Sequence, residues 1–87
     1  MYTLEVKVKL VKGECAAGYK VGDTFTVTDP VVVPRENCPL CIYALGALFP
    51  YLTAAYRKTD TGDWINRVTE IQCPDSKNTV VFELKRR

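Results

Sequence analysis

Four cysteines are the residues of this sequence whose side chains are best suited to chemistry. Cys38 and Cys41 are three residues apart in the stretch ENCPLCIYALGALFP, and Cys15 and Cys73 stand alone. The chain has no histidine, so it lacks the usual general base and the commonest nitrogen ligand for metals. A hydrolytic triad is therefore not expected, and the thiols become the candidates for a functional site.

Metal ligation is the first interpretation of these thiols. Together, Cys15, Cys38, Cys41 and Cys73 would supply four thiolates, which is the ligand set of structural zinc sites and of iron–sulfur clusters. In a reducing cytosol, four cysteines in a short chain favour metal binding or redox chemistry over structural disulfides. We therefore expect a non-enzymatic binding or accessory domain with a cysteine cluster that takes zinc or an iron–sulfur centre.

Two other interpretations of the cysteines remain open. Cysteines at i and i+3 on a helix place both sulfurs on one side, so Cys38 could attack as a thiolate and Cys41 could resolve the disulfide. A helix N-terminus would lower the pKa of Cys38, but thioredoxin-like proteins place such a motif after a strand in a βαβ unit, which this sequence does not resemble. Alternatively, the cysteines are buried small hydrophobes in a protein-interaction module.

The elements that must position the thiols follow from hydrophobic periodicity. Alternation of apolar and polar residues predicts strands at Tyr2–Leu10, Thr24–Thr28 and Thr79–Lys85, and a less regular strand from Trp64 to Ile71. Residues Val31–Val33 lie between two prolines, which permits only an edge strand or a connector.

A single helix is predicted from Cys38 to about Tyr56. Asn37 is a favourable N-cap, and Pro39 then falls in the first turn, where its missing N–H does no harm. Pro50 predicts a kink or a break in this helix, because its ring clashes with the carbonyl four residues earlier.

Together these elements predict a single α+β domain over residues 1–87. The order ββαββ suggests a small antiparallel sheet packed on one central, kinked helix. The alternative is a small β-barrel with an inserted helix, because the turn GYKVGDTF is typical of small barrels.

Composition restricts the possible partners. Lysine and arginine number 12 against 10 acidic residues, and this net charge of +2 is too balanced for a surface that neutralises phosphates, so nucleic acid is not an expected partner. The tail Lys85-Arg86-Arg87 is predicted to be a solvated end. Neither a signal peptide nor a membrane span of about eighteen apolar residues is found, which predicts a cytoplasmic protein. A protein partner or a second copy could bind along an exposed strand edge.

Three motifs give the chain a resemblance to a family of small prokaryotic proteins of about this length. They are G-x-C-x-x-G-x-x-x-G-D at 13–23, C-x-x-A-L at 41–45 and C-P-D at 73–75, and the match covers nearly the whole chain. The resemblance implies one domain with Cys15, Cys41 and Cys73 in matching positions, and it does not name a reaction. Where this chain has Tyr19, the family often has a histidine that could be a fourth ligand. Cys38 is not part of the family pattern.

Overall fold

Five strands form one antiparallel sheet in the computed structural model, which describes residues 1–87. The strands are β1 (Leu4–Val11), β2 (Thr24–Thr28), β3 (Val31–Pro34), β4 (Glu70–Gln72) and β5 (Val80–Arg86), and the helix α1 is Ile42–Ala55. The order across the sheet is β3-β2-β1-β5-β4, and the sheet is open. The α+β prediction is confirmed and the closed barrel is wrong. The predicted edge strand is β3, so three strands precede the helix instead of two.

The central strand β1 follows its predicted alternation only as far as Val8. Leu4, Val6 and Val8 are buried, and β1 pairs with β2 on one side and with β5 on the other. The pairing with β5 is irregular between Val8 and Leu10, where an extra residue on β1 shifts the register. Leu10, which was expected on the core face, is consequently 52% exposed.

The helix begins later than the sequence predicts. Cys41 is its N-cap residue, with extended backbone angles and no side-chain cap, so the predicted start at Cys38 and the N-cap at Asn37 are wrong. Asn37 has a φ of 64°, which is left-handed, and Cys38 directly precedes Pro39, whose ring disfavours a helical conformation in the residue before it. Helix α1 then continues through Pro50 without a break. The kink stays a prediction.

One side of α1 covers one face of the sheet. The buried helix residues, Ala44, Leu48, Leu52 and Ala55, recur at helical spacing and join the buried strand residues in a single core. None of the helices combines the length and the apolar character that crossing a membrane requires.

The segment after the helix is not the strand predicted from Trp64 to Ile71. Trp64–Arg67 is a 3₁₀ helix, and only Glu70–Gln72 is a strand. The Asp63 carboxylate accepts a hydrogen bond from the Ile65 N–H at 3.0 Å, so a capping interaction starts the 3₁₀ turn. Alternation alone does not reveal this cap.

Arg86, in the basic C-terminal tail, is not the freely solvated residue that the sequence predicts. The guanidinium of Arg86 donates to the carbonyl oxygen of Ala55 at 3.0 Å and to that of Ile65 at 2.7 Å. It thereby joins β5 to the end of α1 and to the 3₁₀ helix. Arg87 lies further out and forms an ion pair with Glu5 at 2.9 Å.

Candidate functional site

Three of the four cysteines line one pocket. Cys15, Cys41 and Cys73 come from the β1–β2 loop, the N-terminus of α1 and the β4–β5 loop, and they border an open cavity of about 480 Å³. The remaining lining residues are Glu14, Ala16, Ala17, Tyr43, Pro74, Asp75 and Asn78. Cys38 is not among the lining residues. All four thiols are free and half-buried.

The two loops that carry Cys15 and Cys73 are held against each other at Gly13. The backbone of Gly13 has a φ of 76°, and a Cβ there would lie 2.4 Å from Asn78 Oδ1 and 2.7 Å from the Lys77 carbonyl oxygen. Asn78 Oδ1 also accepts a hydrogen bond from the Glu14 N–H at 3.0 Å. Glycine is therefore required at position 13 both for its conformation and for the close approach of the loops.

Cys41 is positioned by Tyr19. The hydroxyl oxygen of Tyr19 accepts a hydrogen bond from the Cys41 N–H at 3.0 Å, and the tyrosine ring packs edge-on against Phe82, with 5.3 Å between centroids. Burial is the main cause that raises the pKa of Tyr19, and negative charge on the thiolates of Cys38, Cys41 and Cys15 raises it further. The hydrogen bond from Cys41 acts in the opposite direction. The phenol therefore contacts the backbone of Cys41 directly and lies within electrostatic range of three of the four thiols.

Cys38 has a different environment from the one expected at a helix N-terminus. Burial raises the pKa of its thiol, and the nearby Asp23 carboxylate raises it further, although a backbone hydrogen bond from Thr24 partly opposes the effect. Its Sγ lies 3.5 Å from the Pro39 carbonyl oxygen. The predicted lowering of the Cys38 pKa is wrong, because the helix begins at Ile42 and its positive end is not at Cys38.

Asp75 fixes the turn that follows Cys73 and Pro74. Its carboxylate accepts hydrogen bonds from the N–H groups of Lys77 at 2.9 Å and of Asn78 at 3.1 Å, and these bonds lower the pKa of Asp75. The sequence identifies this stretch only as a turn. The signal for its geometry is the aspartate itself, because an aspartate side chain often accepts hydrogen bonds from the backbone N–H groups two and three residues later.

The lowered pKa of Asp75 predicts an acid-sensitive turn. The stabilisation it provides is fully present above the ordinary aspartate pKa and is lost as the pH falls through the lowered value. In an NMR titration, we expect the Asp75 carboxyl carbon to titrate below the same residue in an unstructured peptide, with the Lys77 and Asn78 amide shifts following the same curve. A midpoint equal to that of the peptide would show that the two hydrogen bonds do not form in solution.

The pocket therefore presents three soft thiol donors together with the carboxylates of Glu14 and Asp75. No group of three or more cysteine, aspartate or glutamate side chains stands in an arrangement that could already hold a metal ion. Thiolates are the ligands preferred by zinc and copper(I) and in iron–sulfur clusters.

Comparison with known proteins identifies no relative of this chain. The resemblance to a family of small prokaryotic proteins stays a prediction. No protein-family model, no curated protein and no solved structure matches this chain.

Proposed function

We propose that the protein is a non-catalytic binding module that takes a zinc ion in the pocket lined by Cys15, Cys41 and Cys73. One observation carries the proposal: three cysteines from three distant parts of the chain border the same cavity. These three cysteines pack against the hydrophobic core, but all of them also border the open cavity. Three thiols at one solvent-accessible cavity match the donor chemistry of a soft divalent metal.

The number of available thiols favours zinc over an iron–sulfur centre. Cluster ligation ordinarily uses four cysteines, whereas zinc is held by three or four protein ligands and accepts carboxylate oxygen or water as one of them. Cys38 lies outside the pocket lining, while the carboxylates of Glu14 and Asp75 are part of it. Either carboxylate could complete a site with the three thiolates.

Metal binding in this proposal draws the three sulfurs together and requires them to lose their protons. Affinity should therefore fall as the pH is lowered, because protons compete with the metal for the thiolates. A reducing compartment such as the cytoplasm, which we propose as the location, keeps the thiols available for the metal.

The dithiol redox alternative has weaker support. It needs Cys38 as an attacking thiolate, and burial and Asp23 raise the pKa of that thiol. Neither Cys38 nor Cys41 lies within α1, so the two are not stacked on one helical face. A thiol that ionises with more difficulty than usual is a poor attacking group near neutral pH.

Metal titration of four single variants tests the proposal. Cys15→Ser, Cys41→Ser, Cys73→Ser and the control Cys38→Ser are purified anaerobically, and zinc affinity is measured in competition with a chromophoric chelator. We expect one zinc per wild-type chain. Each of the three pocket variants should lose at least about a hundredfold in affinity, since even removal of an outer-shell partner costs up to that much.

The control decides which cysteines are ligands. Cys38→Ser should bind zinc about as tightly as wild type. Equal losses in all four variants would indicate that Cys38 is a ligand too, and unchanged affinity in the three pocket variants would contradict the proposed site. A metal-free protein that forms a reversible Cys38–Cys41 disulfide would favour the redox alternative.

A further inference from the structure

The hydroxyl of Tyr19 is a buried polar group that uses only part of its hydrogen-bonding capacity. Tyr19 is 4% exposed, and the one hydrogen bond of its hydroxyl is the bond that it accepts from the Cys41 N–H at 3.0 Å. A phenol can accept and donate at the same time, and buried hydroxyl groups normally do find an acceptor. The O–H of Tyr19 is therefore a donor beside the pocket that still needs an acceptor.

The position of this hydroxyl is fixed by the surrounding structure. The tyrosine ring packs edge-on against Phe82, which is fully buried. On its N-terminal side, the Gly18 N–H donates to the Cys15 carbonyl oxygen at 2.9 Å, and this turn leads directly into Tyr19. Tyr19 thus connects the loop that carries Cys15 to the residue before α1, and a donor held in place in this way needs little reorganisation to form a further bond.

The acceptors near the Tyr19 hydroxyl are sulfur atoms. Burial is the largest cause that raises the pKa of Tyr19, and the charged groups that raise this pKa further are all thiolates, those of Cys38, Cys41 and Cys15. Cys41 is the one whose backbone the hydroxyl contacts. Its Sγ is attached through Cβ to the same Cα as the anchored N–H, so each staggered rotamer keeps the sulfur near the phenol.

Tyr19 can act on the pocket without being a ligand. Cys41 lines the cavity and Tyr19 does not, so the tyrosine reaches the cavity only through Cys41. A protonated thiol is a weak acceptor, whereas a thiolate is charged and accepts more strongly. Loss of the Cys41 proton on zinc binding would therefore create the acceptor that the Tyr19 O–H needs.

We propose that Tyr19 is a positioning residue of the zinc site, whose O–H donates to the Cys41 thiolate while its oxygen accepts the Cys41 N–H. The proposal rests on the proposed zinc site and adds the group that orients one of its ligands. The proton that Cys41 loses goes to solvent, and the phenol keeps its own, since an ordinary tyrosine has a pKa of about 10. Outer-shell hydrogen bonds of this kind orient metal ligands and strengthen metal binding.

Tyr19→Phe tests this role, with Tyr56→Phe as the matched control. Both changes remove a hydroxyl and keep the ring. Tyr56 is also buried, and its hydroxyl also has one partner, the Asp29 carboxylate at 3.0 Å, but it lies beyond the other end of α1, roughly 20 Å from Cys41. Zinc affinity, measured with a chromophoric chelator, should fall at least about tenfold in Tyr19→Phe and stay unchanged in Tyr56→Phe. Circular dichroism should show both variants folded.

Cobalt(II) in place of zinc separates a hydrogen bond to sulfur from a purely structural role of Tyr19. Thiolate ligands give cobalt a sulfur-to-metal charge-transfer band, and a hydrogen bond to the thiolate lowers the energy of the sulfur lone pair. The band should therefore move to longer wavelength in Tyr19→Phe and keep its position in Tyr56→Phe.

The outcomes distinguish the role of Tyr19 from the zinc site itself. An unchanged zinc affinity in Tyr19→Phe would overturn the role of Tyr19. A charge-transfer band that stays in place while the affinity falls would also overturn it, because Tyr19 would then only anchor the Cys41 N–H. A wild type without any cobalt–thiolate absorption would overturn the zinc site, and the role of Tyr19 with it.

Discussion

Replacing Phe82 by alanine is expected to lower the free energy of unfolding by about 4 kcal/mol. Phe82 is fully buried on β5, and its ring lies against both Tyr19 and Phe25, with centroid distances of 5.3 and 6.3 Å. Truncation removes the ring and leaves a cavity in the centre of the core. For a domain whose total stability is about 5–15 kcal/mol, this change brings the chain close to unfolding.

Chemical denaturation of wild type, Phe82→Ala and Phe82→Leu measures the effect. Leucine keeps much of the ring's volume and should cost less than about 1.5 kcal/mol. Tyr19 packs on Phe82 and accepts a hydrogen bond from the Cys41 N–H. Phe82→Ala should therefore also disturb the cysteine pocket at denaturant concentrations below those that unfold the domain. A cost for Phe82→Ala no greater than that for Phe82→Leu would mean that the ring does not fill the core as described.

Replacing Arg86 by alanine should lower the free energy of unfolding by about 2–3 kcal/mol, although the residue is the penultimate one in the chain. Its guanidinium donates to the carbonyls of Ala55 and Ile65, and hydrogen bonds to charged groups each contribute about 1.5–3 kcal/mol. Removing the donor leaves these two carbonyls without a partner and separates β5 from the end of α1.

Arg87→Ala is the matched control, since it removes the same side chain one position further along. Arg87 is 63% exposed and paired with Glu5, and a pair of this kind contributes at most about 1 kcal/mol. Arg86→Lys keeps the charge but not the planar fork of donors, so it should recover only part of the loss. Equal thermal stability of Arg86→Ala and Arg87→Ala would contradict the role assigned to Arg86.

Strands β1 and β5 were predictable from the sequence because, along most of their length, buried residues alternate with exposed or half-buried ones. In β5, Val80, Phe82 and Leu84 are buried as the alternation predicts. The errors occur where a local contact overrides periodicity. The cap formed by Asp63 turns the start of one predicted strand into a 3₁₀ helix, and the register shift near Leu10 exposes a residue predicted to be buried.

The start of the helix determines how much of the site could be predicted. Alanine and leucine content extends the apparent helix back to Cys38. The left-handed Asn37 and the restriction that Pro39 places on Cys38 disfavour a start there, and the helix begins at Ile42. This shift separates Cys38 from the pocket and leaves Cys41 at its edge.

The meeting of Cys15 and Cys73 at the pocket could not be derived from periodicity. It depends on contacts between two irregular loops. The main ones are the hydrogen bond that the Glu14 N–H donates to Asn78 Oδ1 and the close approach of the loops at Gly13. Such contacts join residues far apart in the sequence, and no spacing rule describes them.

The zinc X-ray absorption spectrum of the metal-loaded protein is the most direct test of the proposed site. We expect one zinc per chain with three sulfur neighbours at about 2.3 Å and one lighter neighbour, oxygen or nitrogen, and the Cys38→Ser variant should give the same spectrum. A zinc coordination shell composed only of oxygen and nitrogen, or a protein that retains no zinc at all, would contradict the proposed site.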